Sequence, residues 1–323
     1  MRRWPDLLSA HRTARRIALD AGMHAAAGLV DLLPRMQQRM TRCRLLEDIE
    51  YARHDGAVLR LDILTPAGAK PHPVLLYFHG GGFAVGSKRT HRALAAAYAA
   101  QGYLVCNVDY RLAPKYPYPA ALEDACAAWL WVAEHIADYG GDNQGMALAG
   151  ESAGANLALA VTLACCTQRA EAFAAPLFAR GVRPTAVLLY CGFLQTSHPE
   201  RYRRAGVSAL AAGIALDAAR SYLGKFAKHP TPEQALAAPL CVVEAMTVAP
   251  RLPPIFIAAG LDDPVAADSQ RLDQKLQQLQ SSVSAHYYPG ETHAFHVMFW
   301  REQAVRCWRQ SFDFLQQYLP VRV

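Results

Sequence analysis

From residue 73 onward the chain alternates short apolar, β-rich runs with longer helical ones, and this rhythm limits the fold more than any other feature. Val74–Phe78 precedes Ala93–Ala100, Leu104–Val108 precedes Ala121–Ala137, and Met146–Ala149 precedes Ala153–Cys166. Ala186–Tyr190, Ile255–Ala259 and Ala285–Tyr288 continue the strands, with helices expected near 266–280 and 301–318. Strands that are apolar throughout and separated by helices predict a mostly parallel sheet covered on both faces, an α/β fold. Ahead of them, Glu47–Arg53 and Ala57–Leu64 flank His54-Asp55-Gly56, a D-G turn that reads as an antiparallel hairpin.

The rhythm breaks between Tyr190 and Ile255, a glycine- and proline-bearing stretch with one expected helix over Leu216–Lys228. An insertion at the end of a strand is where α/β enzymes place substrate-binding elements. The expected division is an N-terminal helical arm over 1–45, a core over 46–191 and 253–323, and an insertion over 192–252. Hydrophobic residues make up 52% of the chain and charged residues 19%, which excludes disorder for the bulk of its 323 residues. The longest apolar run, Leu157–Cys166, is interrupted by Thr162 and falls short of the roughly 18 residues a membrane-spanning helix needs. A soluble protein without stable membrane insertion is expected.

The net charge of +6 sits in the arm, where residues 1–44 hold nine Arg against three Asp. The rest is neutral, so a nucleic-acid partner has no support beyond the arm. Asp6, His11 and Arg12 interrupt any secretory apolar region, and Leu7, Leu8, Ile17, Leu29, Leu32 and Leu33 read as the apolar face of a permanent helix. The eight cysteines lack C-x-x-C spacing and sit mostly in apolar segments, as buried free thiols would. That pattern favours a reducing compartment, with the cytoplasm as the expected location.

Gly150-Glu151-Ser152-Ala153-Gly154 follows one strand directly and opens one helix. The G-x-S-x-G pattern makes a tight strand-to-helix turn that lifts a serine hydroxyl into the open. By composition alone the pattern recurs in about one chain in ten of this length, so its placement, not its letters, carries the argument. His79-Gly80-Gly81-Gly82-Phe83 follows the strand Val74–Phe78, and consecutive glycines let backbone N–H groups face a developing oxyanion. A phosphate loop is the competing reading, but neither G-x-G-x-x-G nor a following Lys-Ser/Thr is present. A nucleophilic serine needs a base held by an acid. Asp263, with Asp262 as its rival, follows the strand Ile255–Ala259, and His293, with His296 as the fallback, follows the last strand.

His79–Phe83, Asp109-Tyr110-Arg111-Leu112-Ala113-Pro114, the Gly150–Gly154 turn, Asp263-Pro264-Val265 and Pro289-Gly290-Glu291-Thr292-His293-Ala294-Phe295 together resemble the landmarks of the hormone-sensitive-lipase-like α/β-hydrolases. The last third looks most like bacterial acetyl esterases. The resemblance implies an α/β-hydrolase fold with a helical cap made from the arm and the 192–252 insertion. It also implies a carboxylesterase using Ser152, Asp263 and His293, with oxyanion donors at the backbone N–H groups of Gly81, Gly82 and Ala153. The chain departs from the family at Glu151, where Asp is usual, and at Lys115, where Glu is usual.

The expected substrate is a small ester, hydrolysed without metal or organic cofactor, and a homo-oligomer is compatible with the sequence. An amidase or peptidase would use the same residues. A non-catalytic ligand-binding protein on the same scaffold is the third reading, against which Ser152, Asp263 and His293 all stand. Phe295, Phe299 and Trp300 read equally as acyl-pocket lining or as core, and Asp124, which resembles a family acid, reads equally as a surface or capping carboxylate.

Overall fold

The structure is a computed structural model that describes residues 4–203, 208–227, 232–248 and 250–321; the side chains of Leu7 and Leu8, and Lys228, lie outside the described residues. Eight strands form one sheet: β1 (Cys43–His54), β2 (Ala57–Pro66), β3 (His72–Phe78), β4 (Leu104–Val108), β5 (Gly141–Glu151), β6 (Ala186–Tyr190), β7 (Ile255–Gly260) and β8 (Val283–Tyr288). Their order is β1-β2-β4-β3-β5-β6-β7-β8. The pairs β1/β2 and β2/β4 are antiparallel and every other pair is parallel, so the early hairpin extends one edge of a doubly covered sheet. Ten helices are described: α1 (Trp4–Asp31), α2 (Pro34–Met40), α3 (Arg92–Ala99), α4 (Ala120–His135), α5 (Ala153–Cys166), α6 (Ala175–Arg180), α7 (Ala209–Leu223), α8 (Pro239–Glu244), α9 (Ala266–Gln278) and α10 (Glu302–Tyr318).

The strand side chains alternate between two cores. Along β3, Val74, Leu76 and Phe78 join α4 and α5 on one face, while Leu75 and Tyr77 join α3 and α10 on the other. A strand covered on both faces needs apolar residues at every position, which is why β3 reads as an unbroken run. Helix α5 is buried at all 14 positions, so it is apolar all round rather than amphipathic. Among the described residues no single helix is long and apolar enough to cross a membrane.

Three expectations need correction. The insertion helix begins earlier than Leu216, because Ser208 caps it by accepting from Ala211 N–H at 3.1 Å; it ends at Leu223, where Gly224 turns to φ +55°. The apolar face expected of the arm is not packed at its described residues. Ile17, Leu29, Leu32 and Leu33 are all at least half exposed, while Met36 of α2, at 4% exposure, and the partly buried Val30 and Met40 pack against the core. Helix α1 is also held by polar ties: Arg15 pairs with Asp217 of α7, and Asp20 Oδ1 accepts the Gly86 N–H at 2.9 Å.

Asp124 is neither a surface nor a capping carboxylate. It is fully buried and accepts from the Arg111 N–H at 2.8 Å and from Arg111 Nε at 3.0 Å. A buried anion needs such a partner, since desolvation alone would neutralise it. Phe295 is buried in the α10-side core, whereas Trp300 is 75% exposed.

Candidate active site

Strand β5 ends at Glu151 and α5 begins at Ala153, so Ser152 must make the whole reversal. It does so at φ +52°, ψ −113°, a conformation costly for a residue with a side chain and held here by the surrounding backbone. The Ser152 N–H donates to Tyr190 O at 2.9 Å, and Ser152 O accepts from Phe193 at 3.1 Å. Gly154 permits the close crossing, since a Cβ there would lie 2.0 Å from Phe78 O. The hydroxyl therefore stands at the C-terminal edge of the sheet, where parallel strands leave a crevice.

His293 and Asp263 reach this edge on the loops after β8 and β7. Ser152 Oγ lies 2.9 Å from His293 Nε2, and His293 Nδ1 lies 2.8 Å from Asp263 Oδ2. Asp263 is 1% exposed, and its other oxygen accepts the Val265 N–H at 2.9 Å. The rival Asp262 is exposed to solvent, and its N–H donates to Glu291 O at 3.0 Å. Burial would lower the pKa of His293, but the Asp263 carboxylate, its hydrogen bond and the charge of Glu151 outweigh that and hold it above the ordinary imidazole value. The fallback histidine, His296, faces Glu151 rather than Ser152.

The glycine run crosses in front of β3. Gly81 and Gly82 take φ +111° and +59°, and Gly81 O accepts from Ala84 and Val85 N–H at 3.1 Å, which coils the loop into a tight turn. The Ala153 N–H belongs to the first turn of α5 and has no intrahelical acceptor. None of the N–H groups of Gly81, Gly82 and Ala153 is hydrogen-bonded within the described residues. N–H donors of this kind take up negative charge on an oxygen placed among them. His79, at the head of this run, is held down to a pKa of about 3 by burial and by the neighbouring His91, so it stays neutral.

Helix α7 leans on the same loop. Phe83 stacks on Tyr222 with ring centroids 3.6 Å apart, and a Cβ on Gly82 would lie 2.9 Å from Ala218 Cβ. Lys115, the departure noted above, lies over the Tyr116 ring at 4.8 Å.

Sequence reasoning singled out Glu151 and His296 but missed their connection, and it missed His91 entirely. Glu151 accepts from His91 Nε2 at 2.6 Å and from His296 Nε2 at 2.7 Å. A carboxylate placed at the end of an apolar strand signals that a partner must exist. Nothing local says which residue supplies it.

Among the described residues, one cluster offers three potential metal ligands: Cys191, Asp263 and His293. The imidazole and carboxylate of that cluster already hydrogen-bond each other at 2.8 Å, and burial pushes the Cys191 thiol well up, so it holds its proton. A cation could enter only by breaking that bond.

A parallel sheet with a strand-to-helix serine, a histidine after the last strand and an acid after the one before defines an α/β-hydrolase architecture. The chain belongs to this family: the family model for the alpha/beta hydrolase fold matches residues 75–297. Its relatives place it in the hormone-sensitive-lipase-like branch. It is 35% identical to "Esterase LipI" of Mycobacterium tuberculosis over 225 residues, covering 69% of this chain and 65% of that one. It is 32% identical to "Acetyl esterase" of Salmonella schwarzengrund over 228 residues, covering 69% of this chain and 65% of that one. The match therefore spans just under two thirds of these relatives' length. Among solved structures, "Bacterial Heroin Esterase" aligns with a TM-score of 0.77 at 25% identity, over 96% of this chain and 92% of that one.

Proposed function

We propose that this chain is a serine carboxylesterase acting on short-chain acyl esters. The observation that supports this most is the continuous hydrogen-bonded line from Ser152 Oγ through His293 to Asp263. Ser152 Oγ attacks the ester carbonyl carbon while its proton passes to His293 Nε2. The carbonyl oxygen, now negative, is taken by the N–H groups of Gly81, Gly82 and Ala153. Collapse expels the alcohol, which receives the proton from His293, and leaves an acyl group on Ser152. Water, deprotonated by His293, then releases the acid. Asp263 fixes the tautomer with its proton on Nδ1 and stabilises the imidazolium that forms.

Residues 1–45 and 192–252 act as a cap over the site, a reading supported by the Arg15–Asp217 pair and by the seat of α7 on the glycine loop. The relatives named acetyl esterase support a short acyl group. The test is a series of p-nitrophenyl esters from acetate to palmitate, with fluorophosphonate labelling alongside. The expected result is the highest kcat/KM at the short end, label on Ser152, and no turnover by folded Ser152→Ala. Label on another residue, or a Ser152→Ala variant with even a tenth of wild-type turnover, would overturn the reading.

A further inference from the structure

Glu151 adjoins the serine, yet none of the acyl-transfer steps uses it. Its side chain is 4% exposed, and each carboxylate oxygen is bound by a different imidazole: Oε1 by His91 and Oε2 by His296. The two histidines come from different loops. His91 closes the loop that carries the oxyanion donors: its ring stacks on His79 at 5.3 Å, and its Nδ1 lies 3.2 Å from Ser87 O. His296 lies three residues beyond His293. Its ring stacks on Tyr190 at 4.7 Å, and its carbonyl accepts from Trp308 Nε1 at 2.9 Å.

One carboxylate thus ties together the serine turn, the donor loop and the base loop. Burial would push the Glu151 pKa up, but His91 and His296 overcome this and hold it well below the usual glutamate range. Shortening the side chain to Asp, the residue usual in the family, would withdraw the carboxylate by about 1.5 Å. From an unchanged backbone it could not keep both bonds.

We propose that Glu151 is a positioning residue: by clamping His91 and His296 it fixes the donor loop and the base loop against Ser152. This rests on the reading of Ser152 as the nucleophile. The groups that face Glu151 electrostatically are His91, His296, His79, Tyr77, Tyr98, Tyr110 and Cys191. His293 faces Asp263 and Ser152 and feels the charge of Glu151.

The experiment compares Glu151→Gln with wild type on p-nitrophenyl acetate across pH, with near-UV circular dichroism to confirm folding. Misplacing reacting groups by about 1 Å costs about 10²-fold in rate, so kcat should fall by about that factor while KM stays near its wild-type value. Removing the negative charge lowers the His293 pKa, so the acid limb of kcat/KM should also move to lower pH. Glu151→Asp keeps the charge and should lose kcat with the limb unmoved. A folded Glu151→Gln with wild-type kcat and an unmoved limb overturns the proposal, as does an unmoved limb with kcat and KM impaired together.

If Glu151→Gln fails to fold, His296→Phe decides, because it leaves Glu151 paired with His91. A fall in kcat at constant KM supports the clamp, and wild-type kcat overturns it. An active Ser152→Ala would remove the underlying reading, whereas an inert Ser152→Ala beside a fully active Glu151→Gln removes the clamp alone.

Discussion

Deleting residues 1–33 separates the arm's contribution to the site from its contribution to stability. The cut stops before Pro34 because Met36 is buried, and losing it would cost about 1.5–3 kcal/mol by itself. Among the described residues, what the deletion removes is mostly polar, apart from the partly buried Val30. The Arg15–Asp217 pair has side chains 36% and 24% exposed, which puts it at about 0–1 kcal/mol. The bond from Gly86 N–H to Asp20, whose carboxylate is 43% exposed, adds about 1 kcal/mol. Ile17, Leu19, Leu29, Leu32 and Leu33 already face water and contribute little.

The expected destabilisation is therefore about 1–2 kcal/mol, a shift of a few degrees in Tm by differential scanning fluorimetry. Both lost ties end on α7 or on the Gly81–Ser87 segment beside the serine. If about 1 kcal/mol of that ordering serves substrate binding, KM should rise about fivefold, with kcat changed less. Steady-state kinetics over the ester series read this directly. Unchanged KM for every ester would refute the cap argument, and a truncated chain that fails to fold would refute the energetic one.

Asp263→Asn should lower kcat by about 10⁴-fold, the loss seen when a triad carboxylate no longer fixes its imidazole, while Asp262→Asn should stay near wild type; the reverse ranking in stopped-assay kinetics would move the acid. The raised pKa of His293 means that kcat/KM should fall with acidification through a midpoint above 6.5, because only neutral imidazole accepts the serine proton. A pH profile still flat at pH 6 would contradict that. Gly82→Ala should cut kcat by about 10²–10³-fold at near-constant KM, since the added methyl meets Ala218 at 2.9 Å and forces the donors off line. Adding Ala218→Gly should restore part of the loss, and no restoration would mean that φ +59° alone accounts for the defect.

The sheet was legible because its strands are apolar on both faces and its helices begin and end near the expected residues; Ala153–Cys166 and Ala186–Tyr190 coincide with α5 and β6. The convergence of Ser152, Asp263 and His293 was legible for a related reason: each follows a strand, and parallel strands deliver such loops to one edge. The arm was misread because helical spacing of leucines says where they point relative to one another, not whether anything covers them. Met36, Val30 and Met40, all outside that pattern, are the residues that pack. The His91–Glu151–His296 cluster was invisible because its members lie 60 and 145 positions from one another along the chain and belong to no periodic pattern. Only the folded loops bring them within hydrogen-bonding distance.

The contact between Gly82 and Ala218 bears on how such a protein can diversify. A scaffold whose selectivity and turnover reside in separate parts can exchange one without touching the other. Here α7, the helix proposed as part of the cap, is seated on the loop proposed to supply the charge-stabilising N–H groups, with Phe83 stacked on Tyr222. On that reading, any enlargement at Ala218 also presses on Gly82. Selection for a new ester through α7 must therefore pass through variants that lose speed, unless Gly82 and Ala218 change together. Directed evolution confined to α7 would meet a trade-off that a library drawn from both surfaces escapes.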